Sequence, residues 1–205
     1  MSAPYDAVLF DFDGVLADSE PVHWAAWMEA LEPSGIRMEW DDFQRECVGV
    51  SDLAMLEVLV RYAPQPVEAD SLRAYYPAKR DVFRRRIAAV DLCPPETVAL
   101  IHSLDAWSLA VVTSSVREEV EPVLHRAGIL PRLRTAVYGE DVERRKPAPD
   151  PYLLAAARLG ARRPLVVEDS DAGAASARAA GFDVLRVAAA REVAPRLAAA
   201  LGILL

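Results

Sequence analysis

The sequence has few cysteines and no excess of positive charge, and each shortage excludes a class of protein. Cys47 and Cys93 are the only cysteines in 205 residues, too few for a disulfide scaffold and at a separation that matches no metal-binding pattern. We expect buried or half-buried thiols, and a cytoplasmic, reducing location. The 31 acidic residues outnumber the 23 basic ones, giving a net charge of −8, which argues against a nucleic-acid-binding surface.

Long apolar runs are also missing. Charged residues interrupt every apolar stretch well before the ~18 residues that a membrane span needs, so no membrane partner is expected. The first residues do not form a basic segment followed by an apolar run, and no signal peptide is predicted. With 53% hydrophobic and 26% charged residues, the composition is that of an ordinary folded domain. We predict a monomer, with a dimer through the apolar segment 202–205 as the alternative.

Short apolar runs alternate with stretches of helical periodicity along most of the chain. The predicted strands are Ala7–Phe10, Ser108–Thr113, Thr135–Tyr138, Pro164–Val167 and Asp183–Val187. The predicted helices among and after them are Glu96–Leu104, Val116–Ala127, Pro151–Leu159, Ala172–Ala180 and Arg191–Leu201. Strands that alternate with helices indicate an α/β fold, a Rossmann-like doubly wound parallel sheet covered on both faces.

Residues 17–90 break this alternation, because they contain helical stretches and no convincing strand. Helices are predicted at Glu20–Leu31, Ser51–Ala63 and Val67–Val90, the last of them interrupted by Pro77, which has no amide hydrogen to donate. We therefore predict a core domain of residues 1–16 and 91–205 with an inserted α-helical cap domain of residues 17–90. Placed directly after the first strand, such a cap would overhang the carboxyl end of that strand.

Polar side chains cluster after the predicted strands, where ligands bind in open parallel sheets. They are Asp11 and Asp13 after the first strand, Thr113, Ser114 and Ser115 after the second, Lys146 beyond the third, and Glu168 and Asp169 after the fourth. Taken alone, Asp-x-Asp is common, a threonine often caps a helix and a lysine is often a solvated charge. Their conjunction at matching strand ends indicates a site.

Four converging carboxylates repel one another strongly unless a cation is bound. Oxygen ligands without a histidine or cysteine cluster favour Mg²⁺, which keeps waters that a phosphate can replace. A lysine and several hydroxyl groups suit the remaining oxygens of a transferring phosphoryl group. The predicted chemistry is therefore magnesium-dependent phosphoryl chemistry.

These motifs resemble those of the haloacid dehalogenase-like hydrolase superfamily, in the branch that contains beta-phosphoglucomutase and many small phosphatases. The resemblance spans nearly the whole chain and is carried by Asp11–Ser19, Val112–Ser115, Lys146–Asp150, Glu168–Ser170, Gly173 and Ala180-Gly181. It implies that Asp11 is the nucleophile and forms an aspartyl phosphate. It also implies that Asp13 is the general acid, and afterwards the base that activates water.

The resemblance further implies the ligands of the metal ion and of the phosphoryl group. Mg²⁺ would be held by Asp11, by the backbone carbonyl of Asp13 and by Asp169, with Glu168 close by or in the surrounding layer. Thr113 and the Ser114 amide would hold the phosphoryl oxygens, and Lys146 would neutralise charge between them and the nucleophile. The function implied is magnesium-dependent hydrolysis of a small phosphorylated metabolite, a sugar or polyol phosphate.

Asp13 separates this prediction from related chemistries. A halide leaves without a proton, whereas an alkoxide needs one, and the dehalogenating relatives lack a carboxylate two residues after the nucleophile. The phosphonate-cleaving relatives also lack it and use a cap lysine, a role that Lys79 suggests and Asp13 opposes. Isomerisation by a beta-phosphoglucomutase-type enzyme is the main alternative. Asp52 and Val116 stand where those mutases carry cations for the distal phosphate, although Arg117, Lys79 and Arg80 could compensate.

Two further alternatives come from other functional classes, a phospho-receiver and a non-catalytic metabolite-binding protein. A receiver has no helical insertion, and the intact acids oppose loss of catalysis. Within the cap, the candidate specificity residues are His23, Trp27, Gly49, Val50, Ser51, Lys79 and Arg80. His23 and Trp27 share a helix face, although tryptophans at such spacing are more often core residues, and His23 could be an ordinary packed or surface histidine. Arg84, Arg85 and Arg86 are expected to form a solvated face.

Overall fold

A computed structural model describes residues 5–48 and 52–203, and for residues 52 and 53 it describes the backbone alone. Gly49, Val50 and Ser51 of the predicted cap loop, and the Asp52 side chain, therefore lie outside the described part. The chain divides into two compact units, one drawn from Met1–Asp18 and Asp91–Leu205, the other from Ser19–Val90.

The first unit is built on a sheet of five parallel strands. They are β1 (Ala7–Phe10), β2 (Ser108–Val112), β3 (Thr135–Val137), β4 (Pro164–Glu168) and β5 (Asp183–Arg186). Their order in the sheet is β3-β2-β1-β4-β5, so the chain adds strands first on one side of β1 and then on the other. In register, Phe10 lies beside Val111 of β2 and Val167 of β4. The predicted parallel α/β sheet is confirmed.

The continuous apolar runs become strands because helices cover the sheet. All four residues of β1 are fully buried, which explains why this segment shows no polar alternation. Leu9 and Val166 pack in one cluster with Tyr152 and Ala155 of α7 (Asp150–Leu159) and Ala177 of α8 (Asp171–Ala179). This packing holds against the sheet the two helices that follow Lys146 and Asp169 in the chain.

The remaining helices of this unit are α5 (Pro95–Ser103), α6 (Arg117–Arg126) and α9 (Val193–Leu201). The predicted helix Arg191–Leu201 is thus split, because a 3₁₀ turn at Ala190–Glu192 precedes α9. The Thr97 hydroxyl of α5 donates to the Ala190 carbonyl at 3.2 Å and ties α5 to that turn. At the two points where the chain leaves and re-enters the unit, the Asp18 amide donates to the Leu92 carbonyl at 2.9 Å.

The described residues of the second unit form helices joined by loops, and they contain no strand. It contains α1 (Glu20–Ala30), α2 (Trp40–Glu46), α3 (Asp52–Leu59) and α4 (Tyr76–Ile87), with 3₁₀ helices at Glu32–Ser34, Val60–Tyr62 and Ala69–Tyr75. The predicted helix Val67–Val90 is therefore a 3₁₀ segment followed by α4, and Pro77 lies at the start of α4, where its missing amide costs nothing. The sequence did not predict α2.

The structure also bears on the predicted burial of the two cysteines and on membrane-spanning segments. Cys47 and Cys93 are both buried free thiols. Burial raises the pKa of Cys47 to about 11 and that of Cys93 to about 12, so neither thiol is activated. Within residues 5–48 and 52–203, every helix is too short or too polar to cross a lipid bilayer.

Candidate active site

The candidate residues gather at one edge of the sheet because three neighbouring strands end there. Asp11 follows β1, Thr113 follows β2, and Glu168 closes β4 with Asp169 next in the chain. The Asp11 amide donates to the Val167 carbonyl at 3.0 Å, and the Thr113 amide donates to the Val137 carbonyl at 2.9 Å. The sheet ladder thus extends into the site and sets where these side chains start.

Lys146 brings the acids of neighbouring strands together. Its Nζ donates to Asp11 Oδ1 at 2.7 Å, to Glu168 Oε1 at 2.6 Å and to the Val112 carbonyl at 2.8 Å. The Lys146 side chain is only 6% exposed, so these three acceptors replace the hydration that its charge has lost. The Lys146–Pro147 peptide is cis.

Glu168 is the most completely enclosed acid of the site. Its exposed fraction is 0%, and its Oε1 accepts from Lys146 and from the Tyr152 hydroxyl at 2.9 Å. Its Oε2 accepts from the Asp169 amide, the Ser170 amide and the Ser170 hydroxyl, each at 3.0 Å. Five donors use the acceptor capacity of a carboxylate, so Glu168 is arranged to hold Lys146 and the start of α8.

Tyr152 is a site-supporting residue that the sequence analysis missed, because its helical spacing in α7 is that of a core position. Its side chain is fully buried and gives one of the five donors to Glu168. We expect Tyr152→Phe to lower the free energy of unfolding by about 2 kcal/mol, since a hydrogen bond to a buried charge is lost. Urea titration measures this. Tyr62→Phe, which removes a hydroxyl bonded to the partly exposed Glu46, is the control and should cost less; equal costs would contradict the prediction.

A tight turn begins directly after Asp13, at Gly14. Gly14 has φ +72°, and its amide donates to the Ala17 carbonyl at 2.9 Å. A Cβ at residue 14 would stand 2.0 Å from Asp169 Oδ2, so the turn needs glycine both for its conformation and for the approach of that carboxylate. The turn thereby brings the segment after Asp11 against Asp169.

The segment after β2 forms a second turn beside Asp13. The Thr113 hydroxyl accepts from the Ser115 amide at 3.0 Å, and Thr113 is 3% exposed. Ser114 is exposed. The Ser115 hydroxyl donates to Asp13 Oδ2 at 2.6 Å, a contact that the sequence analysis did not predict.

Burial and mutual repulsion set the charges of the centre. Burial raises the pKa of Asp11 well above its usual range, Lys146 opposes this rise, and Glu168 and Asp169 add to it. For Lys146, burial favours the neutral amine, but Asp11 and Glu168 outweigh it and raise its pKa well above the usual value. For Glu168, burial favours the protonated acid, yet Lys146 and the surrounding donors hold its pKa below the usual value.

The same charges test whether the residues fit a metal ion. One oxygen each from Asp11, Glu168 and Asp169 lies within 4.8 Å of the others. When all three carboxylates are ionised, they and the Lys146 ammonium group carry a net charge of −2, which a divalent cation would balance. This group of acids contains hard oxygen donors and, among the described residues, no histidine or cysteine ligand, a composition that suits Mg²⁺. The residues present fit the predicted ion.

The candidate specificity residues His23, Lys79 and Trp27 lie in two different environments within the helical unit. His23 stacks on Phe83 with ring centroids 4.1 Å apart, and its Nδ1 lies 2.8 Å from Lys79 Nζ. Because an ammonium group only donates, this contact requires His23 Nδ1 to accept. Trp27, in contrast, is 2% exposed in the hydrophobic core of the unit and packs edge-on against Tyr76. Trp27 is thus a core residue, and we correct its prediction as a substrate-binding residue.

The basic residues predicted as a solvated face are partly paired. Arg85 and Arg86 donate to the two oxygens of Glu29, at 2.7 and 2.8 Å, and all three side chains are partly exposed. Such pairs contribute little to stability.

The fold and the site together define a Rossmann-like α/β enzyme with an acidic centre where the strand order reverses. A family model described as haloacid dehalogenase-like hydrolase matches residues 5–181. The chain belongs to this family, as its motifs indicated.

Known proteins are similar to this chain over most of its length. Fructose-1-phosphate phosphatase YqaB of Escherichia coli is 29% identical over 191 residues, covering 89% of this chain and 96% of the relative. Hexitol phosphatase A of the same organism is 30% identical over 191 residues, covering 92% and 85%. The structure of CbbY from Rhodobacter sphaeroides in complex with phosphate superposes with a TM-score of 0.68 at 26% identity, covering 89% and 87%. The predicted enzyme class, a phosphatase of this family, is confirmed.

Proposed function

We propose that this protein is a magnesium-dependent phosphatase for a small sugar or polyol phosphate and that it acts through an aspartyl phosphate on Asp11. The observation that carries the proposal is the position of Lys146, whose Nζ lies 2.7 Å from Asp11 Oδ1 in the same centre as Glu168 and Asp169. The names of two relatives, a fructose-1-phosphate phosphatase and a hexitol phosphatase, support the substrate class.

The first half of the reaction transfers the phosphoryl group to the enzyme. An Asp11 carboxylate oxygen attacks phosphorus, the bond from phosphorus to the ester oxygen breaks, and Asp13 donates a proton to the departing alkoxide. Lys146 and Thr113 stabilise the negative charge of the phosphoryl oxygens, together with the Ser114 amide.

The second half regenerates the enzyme. The Asp13 carboxylate now takes a proton from water, the water oxygen bonds to phosphorus, and the bond from phosphorus to Asp11 breaks. Inorganic phosphate leaves, and Asp13 holds its proton again for the next cycle. Both halves need Asp13 within hydrogen-bond reach of the transferred proton.

Mg²⁺ would be held by Asp11, Asp169 and the Asp13 carbonyl, and when bound it supplies charge neutralisation for the phosphoryl oxygens. Glu168 is better suited to support this centre than to bind the ion, because its oxygens already accept five hydrogen bonds. Residues 17–90, of which Ser19–Val90 form the second compact unit, are proposed as the cap domain, in which His23 and Lys79 are the candidates for contacting the substrate. Gly49 stays a prediction.

The test is a substrate panel with and without Mg²⁺. We expect the purified protein to release phosphate from fructose 1-phosphate or a hexitol phosphate with MgCl₂ and to lose this activity in EDTA. In H₂¹⁸O, the label should enter the phosphate and not the alcohol. Inactivity across a broad panel, or undiminished activity in EDTA, would refute the proposal.

The same samples distinguish the alternatives. Conversion of a hexose 1-phosphate to the 6-phosphate without phosphate release would identify a mutase, and a long-lived phosphoenzyme without turnover would identify a receiver. Metal binding has a readout besides activity. MgCl₂ at ten times its Kd should stabilise the fold by about 1.4 kcal/mol.

A further inference from the structure

Ser115 contacts the proposed general acid directly. Its hydroxyl donates to Asp13 Oδ2 at 2.6 Å, a short hydrogen bond of the kind that a hydroxyl forms with a carboxylate. The two residues are 102 positions apart in sequence and meet where the turns after β1 and β2 adjoin. This contact joins the turn that would bind phosphate to the group that would move the proton.

The backbone of Ser115 is held on both sides. Its amide donates to the Thr113 hydroxyl at 3.0 Å, and its carbonyl accepts from the Gly139 amide at 3.0 Å. Gly139 fits closely there, because a Cβ at that residue would stand 2.2 Å from the Ser114 carbonyl oxygen. Ser115 is therefore a fixed point from which its hydroxyl reaches Asp13.

The Asp13 backbone is constrained as well, so a contact with the Asp13 side chain acts on its side-chain torsions. Asp13 directly precedes the turn closed by the hydrogen bond from the Gly14 amide to the Ala17 carbonyl, and it forms a bridge with Ala17. The hydrogen bond from the Ser115 hydroxyl to Oδ2 restricts those torsions. Proton transfer depends on such alignment, and a carboxyl group free to rotate spends less time in the productive geometry.

We propose that Ser115 is a positioning residue that aligns Asp13 for proton transfer to the leaving group. This inference rests on the proposed phosphatase function and adds a residue to it. Two other roles are open to a serine here, a contact with the phosphoryl oxygens and a purely structural one. Removing the hydroxyl tells these roles apart, because the loss in kcat/KM should depend on the leaving group of the substrate only if Ser115 positions Asp13.

The experiment compares two substrates by kcat/KM, which reports the steps up to the first irreversible one. A hexitol phosphate loses an alkoxide that must be protonated, whereas p-nitrophenyl phosphate loses a stable phenolate that needs no proton. We expect Ser115→Ala to lower kcat/KM for the hexitol phosphate about tenfold to a hundredfold. For p-nitrophenyl phosphate, we expect a change of less than about threefold.

Asp13→Asn provides the reference pattern, with a larger loss for the hexitol phosphate and a smaller one for the aryl ester. Adding Ser115→Ala to Asp13→Asn should cause no further loss for the hexitol phosphate, because the residue that Ser115 aligns has already been disabled. Ser103→Ala removes a hydroxyl at the end of α5 that donates to the nearby Leu100 carbonyl, and it serves as the control.

The outcomes separate the inference from the function on which it rests. Equal losses on both substrates, or additive losses in the double variant, would overturn the positioning role and favour a phosphoryl contact. An unchanged kcat/KM for the hexitol phosphate would overturn it too. If the wild-type protein hydrolyses neither substrate, the proposed function itself fails.

Discussion

Replacing Asp11 by asparagine should lower kcat for phosphate release by about 10⁴-fold or more, because the amide cannot serve as the attacking oxygen. The substitution keeps the shape of the side chain and an oxygen that can accept from Lys146 Nζ. Phosphate release from the best substrate of the panel measures the loss. Acid quenching of the wild-type reaction with radiolabelled substrate should trap label on the protein, and the Asp11→Asn variant should trap none.

The fold of this variant should survive, because one of three crowded carboxylates becomes neutral. Without Mg²⁺, we expect its thermal midpoint to equal or exceed that of the wild type, since burial and the neighbouring acids disfavour the Asp11 charge. The midpoint shift caused by MgCl₂ should shrink, because a ligand has been lost. Asp105 lies before β2, is exposed and forms an ion pair with Arg132. Asp105→Asn is therefore the control and should behave as wild type. More than a tenth of wild-type activity in Asp11→Asn would place the nucleophile elsewhere.

The alternation of strands and helices was predictable because burial on both faces leaves a continuous apolar run. Ala7–Phe10 has the predicted bounds, and the other four strands differ from their predictions by one residue at the end. The acids after β1 and β4 could be assigned to one edge of the sheet, since parallel strands place their carboxyl ends together. The strand order is a different matter, because no local pattern states which side of β1 the next strand joins.

Helices with little apolar periodicity were harder to predict. Helix α2 spans Trp40–Glu46, seven residues of which four are charged, with Phe43 as the one buried residue within the helix. A single buried side chain gives no repeat from which to recognise a helix face. Trp27 lies in a helix that was predicted, but its role could not be predicted. Apolar residues have the same spacing on a helix face that packs in the core and on one that contacts a ligand.

The support around the site could not be predicted from motifs, since it depends on contacts between distant segments. Glu168 has the carboxylate side chain of a metal ligand, and only the structure shows that its two oxygens already accept five hydrogen bonds. Tyr152 and Ser115 are separated in sequence from the acids that they contact, by 16 and 102 positions. The sequence thus identified the groups that would react, and the structure identified the groups that hold them.

Gly173→Ala should destabilise the protein by about 3 kcal/mol or more, although the same change inside an ordinary helix stabilises by about 1 kcal/mol. Gly173 is the third residue of α8, and a Cβ there would stand 1.6 Å from Glu168 Oε1 and 2.0 Å from its Cδ. Glu168 cannot move aside without losing Lys146 and its other donors. Urea unfolding measures the loss, and phosphate release should fall about 100-fold as Lys146 shifts.

Two further variants identify Glu168 as the cause. Ala175→Gly, on the exposed side of α8, should cost about 1 kcal/mol and shows that the helix itself responds in the ordinary way. When Glu168→Ala is already present, adding Gly173→Ala should be neutral or stabilising, because the carboxylate that the new methyl group would strike is gone. If Gly173→Ala alone were as stable and active as the wild type, Glu168 would have room to withdraw. The placement of Lys146 would then not depend on the close fit between this glycine and that acid.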